Sequence, residues 1–189
     1  MTPQIDVLQQ LMNDGKQNSN INMVLGIITA ASAFIGMIGA VSDQSGLMMF
    51  GIMVMSIFAL VLIVRALCAA ERKNALTKSL AIMESTGSIQ YIGEIINRQY
   101  QTNGKECLSE HIYYIPGTLV LGYGDIVDIR RINNDYYFVT LTGKQIRVMA
   151  PKINKGTIEY LLNNYDITSG ASYNDYKHKI ENFQRGLIR

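Results

Sequence analysis

Six basic side chains lie between residues 130 and 155: Arg130, Arg131, Lys144, Arg147, Lys152 and Lys155, with Tyr136 and Tyr137 among them. A guanidinium is a planar fork that matches phosphate and carboxylate oxygens, and an aromatic ring offers it a face to lie on. Placed on adjacent hairpins, Arg130 or Arg131 shares a sheet face with Arg147, and Arg130, Arg131, Arg147, Lys144 and Tyr137 become a basic–aromatic patch. Two readings stand open. The patch is a solvated sheet face, or it is a site for phospholipid headgroups, an anionic ligand or a partner protein.

The other chemistry-bearing residues point to structure. Gly122-Tyr123-Gly124-Asp125 has the glycines of a phosphate loop but lacks the Gly-Lys-Ser/Thr ending and precedes a strand where such loops precede helices. It reads as a tight turn that Asp125 ties down. His111 follows Glu110, and His178 sits between Lys177 and Lys179; neither has a companion at metal-ligand spacing. Cys68 and Cys107 form neither a zinc knuckle nor a disulfide framework and read as reduced structural thiols. No Ser or Cys stands in a nucleophile motif. The expectation is therefore no catalytic residue, no metal, no cofactor and no enzyme.

The elements that must position these residues differ sharply along the chain. Of its 189 residues, 17–42 and 44–64 contain no Asp, Glu, Lys or Arg. Residues 71–189 carry 15 Lys and Arg against 12 Asp and Glu, an excess too small and dispersed for nucleic acid. A helix rises about 1.5 Å per residue, so roughly 20 apolar residues cross a hydrocarbon core of about 30 Å. Residues 21–41 and 46–67 meet that length, and Ser42-Asp43-Gln44-Ser45 between them allows only a tight return. The spacing predicts a two-helix transmembrane hairpin over residues 21–68. A cleaved signal peptide would need a basic leader, whereas residues 1–20 hold Asp6 and Asp14 against Lys16, and the apolar run is too long for one.

Arg65, Arg72, Lys73 and Lys78 cluster after the second stretch, and the connecting loop has no basic residue. The positive-inside rule then places the N-terminus and the C-terminal domain in the cytoplasm, with the protein multi-pass in the inner or plasma membrane. Neither stretch holds a central ionisable residue, which argues against a pump or carrier. Small residues repeat along the first: Ser32, Gly36 and Ala40 on one stripe, Gly26 and Ala30 on another. Such stripes let helices approach closely, either to pack the two spans of one chain or to form a homo-oligomer through the first span. The methionines of the second stretch, Met48, Met49, Met53 and Met55, read as lipid-facing or packing filler.

Residues 1–20 contain a short amphipathic helix over 2–12, with Ile5, Leu8, Leu11 and Met12 on one face, resting on the bilayer or on the soluble domain. Residues 69–104 read as juxtamembrane helices: the second span continues to about 84, and a further helix, capped at Ser88, covers 89–101. From 105 to 189 the period becomes that of strands, at 108–115, 118–121, 124–132, 135–141 and 144–149. Pro116-Gly117, Asn133-Asn134-Asp135 and Thr142-Gly143-Lys144 are the breaks. Helices at 157–165 and 173–184 close the domain, since four or five short strands cannot bury both faces alone. The fold class expected is a membrane α-helical hairpin followed by a small α+β domain, an antiparallel β meander with flanking helices.

The segment from His111 to Gly170 resembles a family of bacterial two-span membrane proteins whose cytosolic domain is pleckstrin-homology-like. The carriers are a first strand at His111 to Ile115, an aromatic-Gly-Asp-Ile run at Tyr123 to Ile126, a Thr-Gly-Lys turn at Thr142 to Lys144 and a closing helix over 157–165, with Tyr173, Tyr176, Asn182 and Phe183 beyond. The likeness covers about residues 85–185. It implies a PH-like fold and transfers no activity and no functional residue. Fewer strands are evident than in a full PH sandwich, so an SH3-like partial barrel is equally admissible. The expected function is a membrane-anchored, non-enzymatic binding or scaffold protein whose domain engages a protein or an anionic lipid or ligand. The alternative is a ligand-gated membrane-disrupting effector of antiphage type, sensing a nucleotide through the β domain.

Overall fold

A computed structural model describes residues 7, 9–11, 19–41, 45–103 and 105–186. The chain divides into two compact units, Lys16–Glu71, and Met1–Gly15 together with Arg72–Arg189.

The first unit is helical because its uncharged runs offer the backbone no better partner than itself. Helix α1 spans Ser19–Val41, and helix α2 spans Ser45–Thr86, contributing to both units. Ser32 and Ser56 donate to the carbonyls of Ile28 and Ile52, each at 2.8 Å, so their hydroxyls are satisfied inside their own helices. The most apolar part of α2 has a mean hydropathy of 2.6 and is not buried against protein. Met49 is 72% exposed and Leu60 62%. A core helix would bury such a surface. Among the described residues one helix is long and apolar enough to cross a membrane; the described apolar part of α1, Gly26–Ala40, is shorter. The two helices touch where Gly51 meets Gly36. The expected return at Ser42-Asp43-Gln44 lies outside the described residues, as does most of the N-terminal helix expected over 2–12.

The second unit is an α+β fold of two four-stranded sheets. The first has the order β1-β2-β3-β4, all antiparallel: β1 Gln101–Asn103, β2 Glu106–Leu108, β3 Ile112–Ile115 and β4 Leu119–Gly122. The second has the order β7-β6-β5-β8: β5 Ile126–Ile132, β6 Asp135–Thr140, β7 Gln145–Met149 and the two-residue β8, Thr168–Ser169, which runs parallel to β5. Between the sheets, Tyr113, Leu121, Ile129, Phe138, Ile146 and Val148 form the main core with Leu161 of helix α4, Lys155–Asn164. Outside the second sheet, helix α5, Tyr173–Gln184, packs Tyr176 and Ile180 on Val127 and Val139. Outside the first, Leu76 and Met83 of α2 meet Tyr114 and Val120, joined by Leu11, which is 1% exposed. Leu11, from the N-terminal segment, thus packs on the α+β unit.

Three expectations are corrected. The helix expected over 89–101 is a 3-10 turn at Ser88–Tyr91 and a short helix, α3, at Ile92–Ile96. Arg98 then takes a left-handed conformation (φ 55) and the chain leaves as β1. The strand expected over 108–115 is two strands, because Ser109 turns the chain by accepting from the Ile112 amide at 3.0 Å. Between the two closing helices Thr168–Ser169 forms β8, tied to β5 by the Thr168 hydroxyl donating to the Val127 carbonyl at 2.9 Å. Ser88 caps no helix by its side chain; its hydroxyl donates to Asp125 at 2.5 Å, which also accepts from the Gly122 amide at 3.0 Å.

Candidate functional site

Strand register decides the fate of the basic–aromatic patch. Arg130 lies opposite Tyr137, and Tyr137 opposite Arg147, so these three form one row on the outer face of the second sheet. Arg131 lies opposite Tyr136, one residue out of phase and therefore on the other face. Its guanidinium sits 5.9 Å from the Tyr136 ring centroid. Lys144 is exposed in the β6–β7 turn. Lys152 donates to the Thr118 hydroxyl at 2.6 Å, and Lys155 opens α4.

Both arginines of the row face carboxylates. Arg130 donates through Nε to Asp128 at 2.6 Å and through Nη2 to the Ala171 carbonyl at 2.7 Å and the Tyr176 hydroxyl at 2.5 Å. Asp128 is fully buried and also accepts from Thr168 at 2.8 Å. The hydrogen bond to Asp128 pushes the Arg130 pKa up, against the opposing effect of its desolvation. Arg147 pairs with Asp135 at 2.8 Å across β6 and β7. The row is a staple holding β8 and α5 to the sheet more than a cationic surface open to anions.

A different feature has the shape of a site. A groove of about 820 Å³, within the usual range for ligand sites, is lined by Gln99 and Tyr100 before β1, by Gln101 and Thr102 of β1, by Leu108, Ser109 and Glu110 of β2 and its turn, and by Gly156, Thr157 and Tyr160 of α4. Buried polar groups fix its walls. Glu106, fully buried on β2, accepts from the Tyr113 hydroxyl, from Thr157 at 2.7 Å and from the Asn154 amide at 3.0 Å, pinning the first turn of α4 to β2. Burial, reinforced by the Glu106 carboxylate, pushes the Tyr113 phenol well above its ordinary value. The Tyr123 hydroxyl donates to the Ser109 carbonyl at 2.9 Å, and its ring stacks on Tyr165 with centroids 4.1 Å apart. Burial and the neighbouring Tyr165 raise Tyr123, while burial and a hydrogen bond with Tyr160 push Tyr165 up to about 12.

On the far side of the turn, His111 Nδ1 meets Glu94 at 2.6 Å, and its ring stacks on Tyr91 at 4.1 Å between centroids. Burial alone would raise the Glu94 carboxyl, but hydrogen bonds from Ser109 and His111 outweigh it and hold the group below the ordinary range. None of the groove residues carries a sequence motif; Tyr160, on the exposed side of an amphipathic helix, is the only one that sequence alone could have marked as an unused aromatic. Among the described residues no three His, Cys, Asp or Glu side chains are grouped to hold a metal ion.

In the helical unit, the small-residue stripes divide. Ser32 is buried and Gly36 half-buried where they meet Gly51; a Cβ added to Gly51 would stand 2.5 Å from Gly36 and 2.9 Å from the Ser32 carbonyl. Gly26, Ala30 and Ala40 are exposed, outside that contact. No family model matches the chain, and no curated protein and no solved structure is similar to it.

Proposed function

We propose that this chain is a membrane-anchored, non-enzymatic binding protein whose α+β domain engages a partner protein in the groove beside β1. The anchor is read as a two-span hairpin, α1 and the apolar part of α2, with both termini on the cytoplasmic side. The charge-free, exposed surface of α2 supports the membrane part, and the basic cluster Arg65, Arg72, Lys73 and Lys78 supports the orientation. Two packed four-stranded sheets closed by a C-terminal helix support a PH-like reading of the domain.

The observation that carries the functional reading is the groove itself, whose walls are held by a buried polar network around Glu106 and Ser109. Engagement of anionic lipid by the arginine row is the weaker reading, because Arg130 and Arg147 already face Asp128 and Asp135. A nucleotide sensed inside the β domain draws no support either, since large side chains fill the space between the sheets.

The test is site-directed photo-cross-linking of the full chain in its native membrane. A benzophenone amino acid at Gln101 is expected to give protein adducts, and the same probe at Arg147 is expected to give none. Adducts from Arg147 alone, or from neither position, would refute the groove as the binding site. Release of the chain by alkaline carbonate would refute the anchor.

A further inference from the structure

We infer that the groove takes an extended segment of a partner protein as an added strand along the outer edge of β1, and that this segment is neutral or basic where it lies there. The inference rests on the binding reading above and gives it a ligand class.

The first observation is the state of the sheet edges. In the first sheet β4 and β1 are the outer strands. The β4 edge is covered: the Val120 amide donates at 3.2 Å to the hydroxyl of Ser79, which is fully buried on α2. At the other edge β1 pairs with β2 alone among the described strands. Antiparallel ladders alternate, each residue turning both its N–H and its C=O to one side. The Ser109 amide donates to the Ile112 carbonyl at 3.0 Å, so Ser109 faces β3, and by alternation Cys107 faces β3 too. Glu106 and Leu108 therefore face β1, opposite Asn103 and Gln101. Thr102, opposite Cys107, is left turning its N–H and C=O away from β2. Thr102 is exposed and lines the groove.

The second observation is the groove's chemistry. Gln101 and Thr102 of β1 line it, together with Gln99 and Tyr100 just before the strand, so an occupant that reaches Thr102 meets a backbone that offers a donor and an acceptor. Peptides bind such edges by main-chain hydrogen bonds, with alternate side chains lodged in flanking pockets. Tyr160, 45% exposed, and Leu108 supply apolar surface for one of those side chains.

The third is charge. Among the described residues that line the groove, Glu110 is the one charged side chain and none is Lys or Arg. A nucleotide or other polyanion would lose its hydration there and gain no cation in return. An uncharged or basic segment carries no such penalty.

The experiment uses the full chain in lipid nanodiscs and a phage-displayed library of random linear peptides. Selection is expected to yield binders poor in Asp and Glu, which are then measured as free peptides. Thr102→Pro removes the outward N–H at an edge position where proline is tolerated, and should weaken binding about tenfold, the loss of one backbone hydrogen bond. Thr102→Val keeps the N–H and should bind like the parent. A circular dichroism spectrum matching the parent confirms that each variant is folded; if Thr102→Pro does not fold, N-methylation of the peptide backbone removes the reciprocal bond, the one the Thr102 carbonyl accepts, and should weaken binding to a similar degree. Parent-like binding by Thr102→Pro and by N-methylated peptides overturns strand addition, as does a selection that yields no binder or only acidic ones. Cross-links from Gln101 persisting in any of those cases would leave the binding reading standing; their absence would remove both.

Discussion

The contact between α1 and α2 distinguishes three glycines that look alike in sequence. A Cβ on Gly51 would stand 2.5 Å from the Cα and N of Gly36, both backbone atoms that no side-chain rotation can move. Carbon contacts are comfortable from about 3.5 Å, so Gly51→Ala must part the helices by about 1 Å at their crossing. Overpacking of this kind costs about 1–3 kcal/mol, against which alanine recovers up to about 1 kcal/mol of helix propensity. The net expectation is a loss of about 1–2 kcal/mol, larger for Gly51→Leu.

Gly36→Ala behaves differently, because its Cβ would meet Gly51 at 3.6 Å, an ordinary contact. Gly26→Ala has nothing within 4 Å and should gain about 0.5–1 kcal/mol. The expected order of stability is Gly26→Ala, then Gly36→Ala, then Gly51→Ala, read from the loss of structure as denaturing detergent is titrated into mild-detergent micelles of the full chain. A Gly51→Ala protein as stable as the parent, or a Gly36→Ala protein less stable than Gly51→Ala, would refute the close approach.

Arg130→Ala strands the buried Asp128 carboxylate and should destabilise the α+β unit by about 3–5 kcal/mol in denaturant titration, whereas Arg147→Ala, where the Arg147 side chain is 52% exposed, should cost less than about 1 kcal/mol. Because Glu94 is held below its ordinary value of 4.5, the folded state binds fewer protons than the unfolded one as pH falls. Its contribution is complete above that value and is lost below it, and Glu94→Gln should flatten this acid limb of a stability–pH curve. The tyrosines give the opposite limb: Tyr113, Tyr123 and Tyr165 are all raised. Stability, read from the denaturant midpoint, should therefore decline as pH climbs past 10 towards about 12, because these three phenols lose their protons more readily in the unfolded chain than in the folded one.

Local patterns in the sequence were enough for some of this fold. Ile146 and Val148 mark the inner face of β7, and the breaks at Pro116-Gly117 and Thr142-Gly143 mark the β3–β4 and β6–β7 turns, whereas the alternation of Tyr137, Val139 and Leu141 marks the outer face of β6 and misses the inner residues Tyr136 and Phe138. The isoleucines at 89, 92, 95 and 96 keep helical spacing but are spent on a short turn and a single buried contact, Ile95, so the period overran into β1. β8 is two residues long and exists only through its pairing with β5, about forty residues away, which no local pattern encodes. The candidate patch shows the same limit. Arg130, Tyr137 and Arg147 do share a row, but the groups that neutralise it, Asp128, Tyr176 and Ala171, come from pairings that register and tertiary packing create. The groove is likewise assembled from β1, a turn and α4, none of which carries a binding motif alone.

The unequal treatment of the two borders of the first sheet has a bearing on assembly. A sheet open on both sides can be lengthened without end, one molecule after another, which is the geometry of fibrils. Here the serine on α2 occupies one border, so any chain that joins at the other terminates the ladder. Growth stops after a single addition, and even self-recognition through this sheet yields nothing larger than a pair.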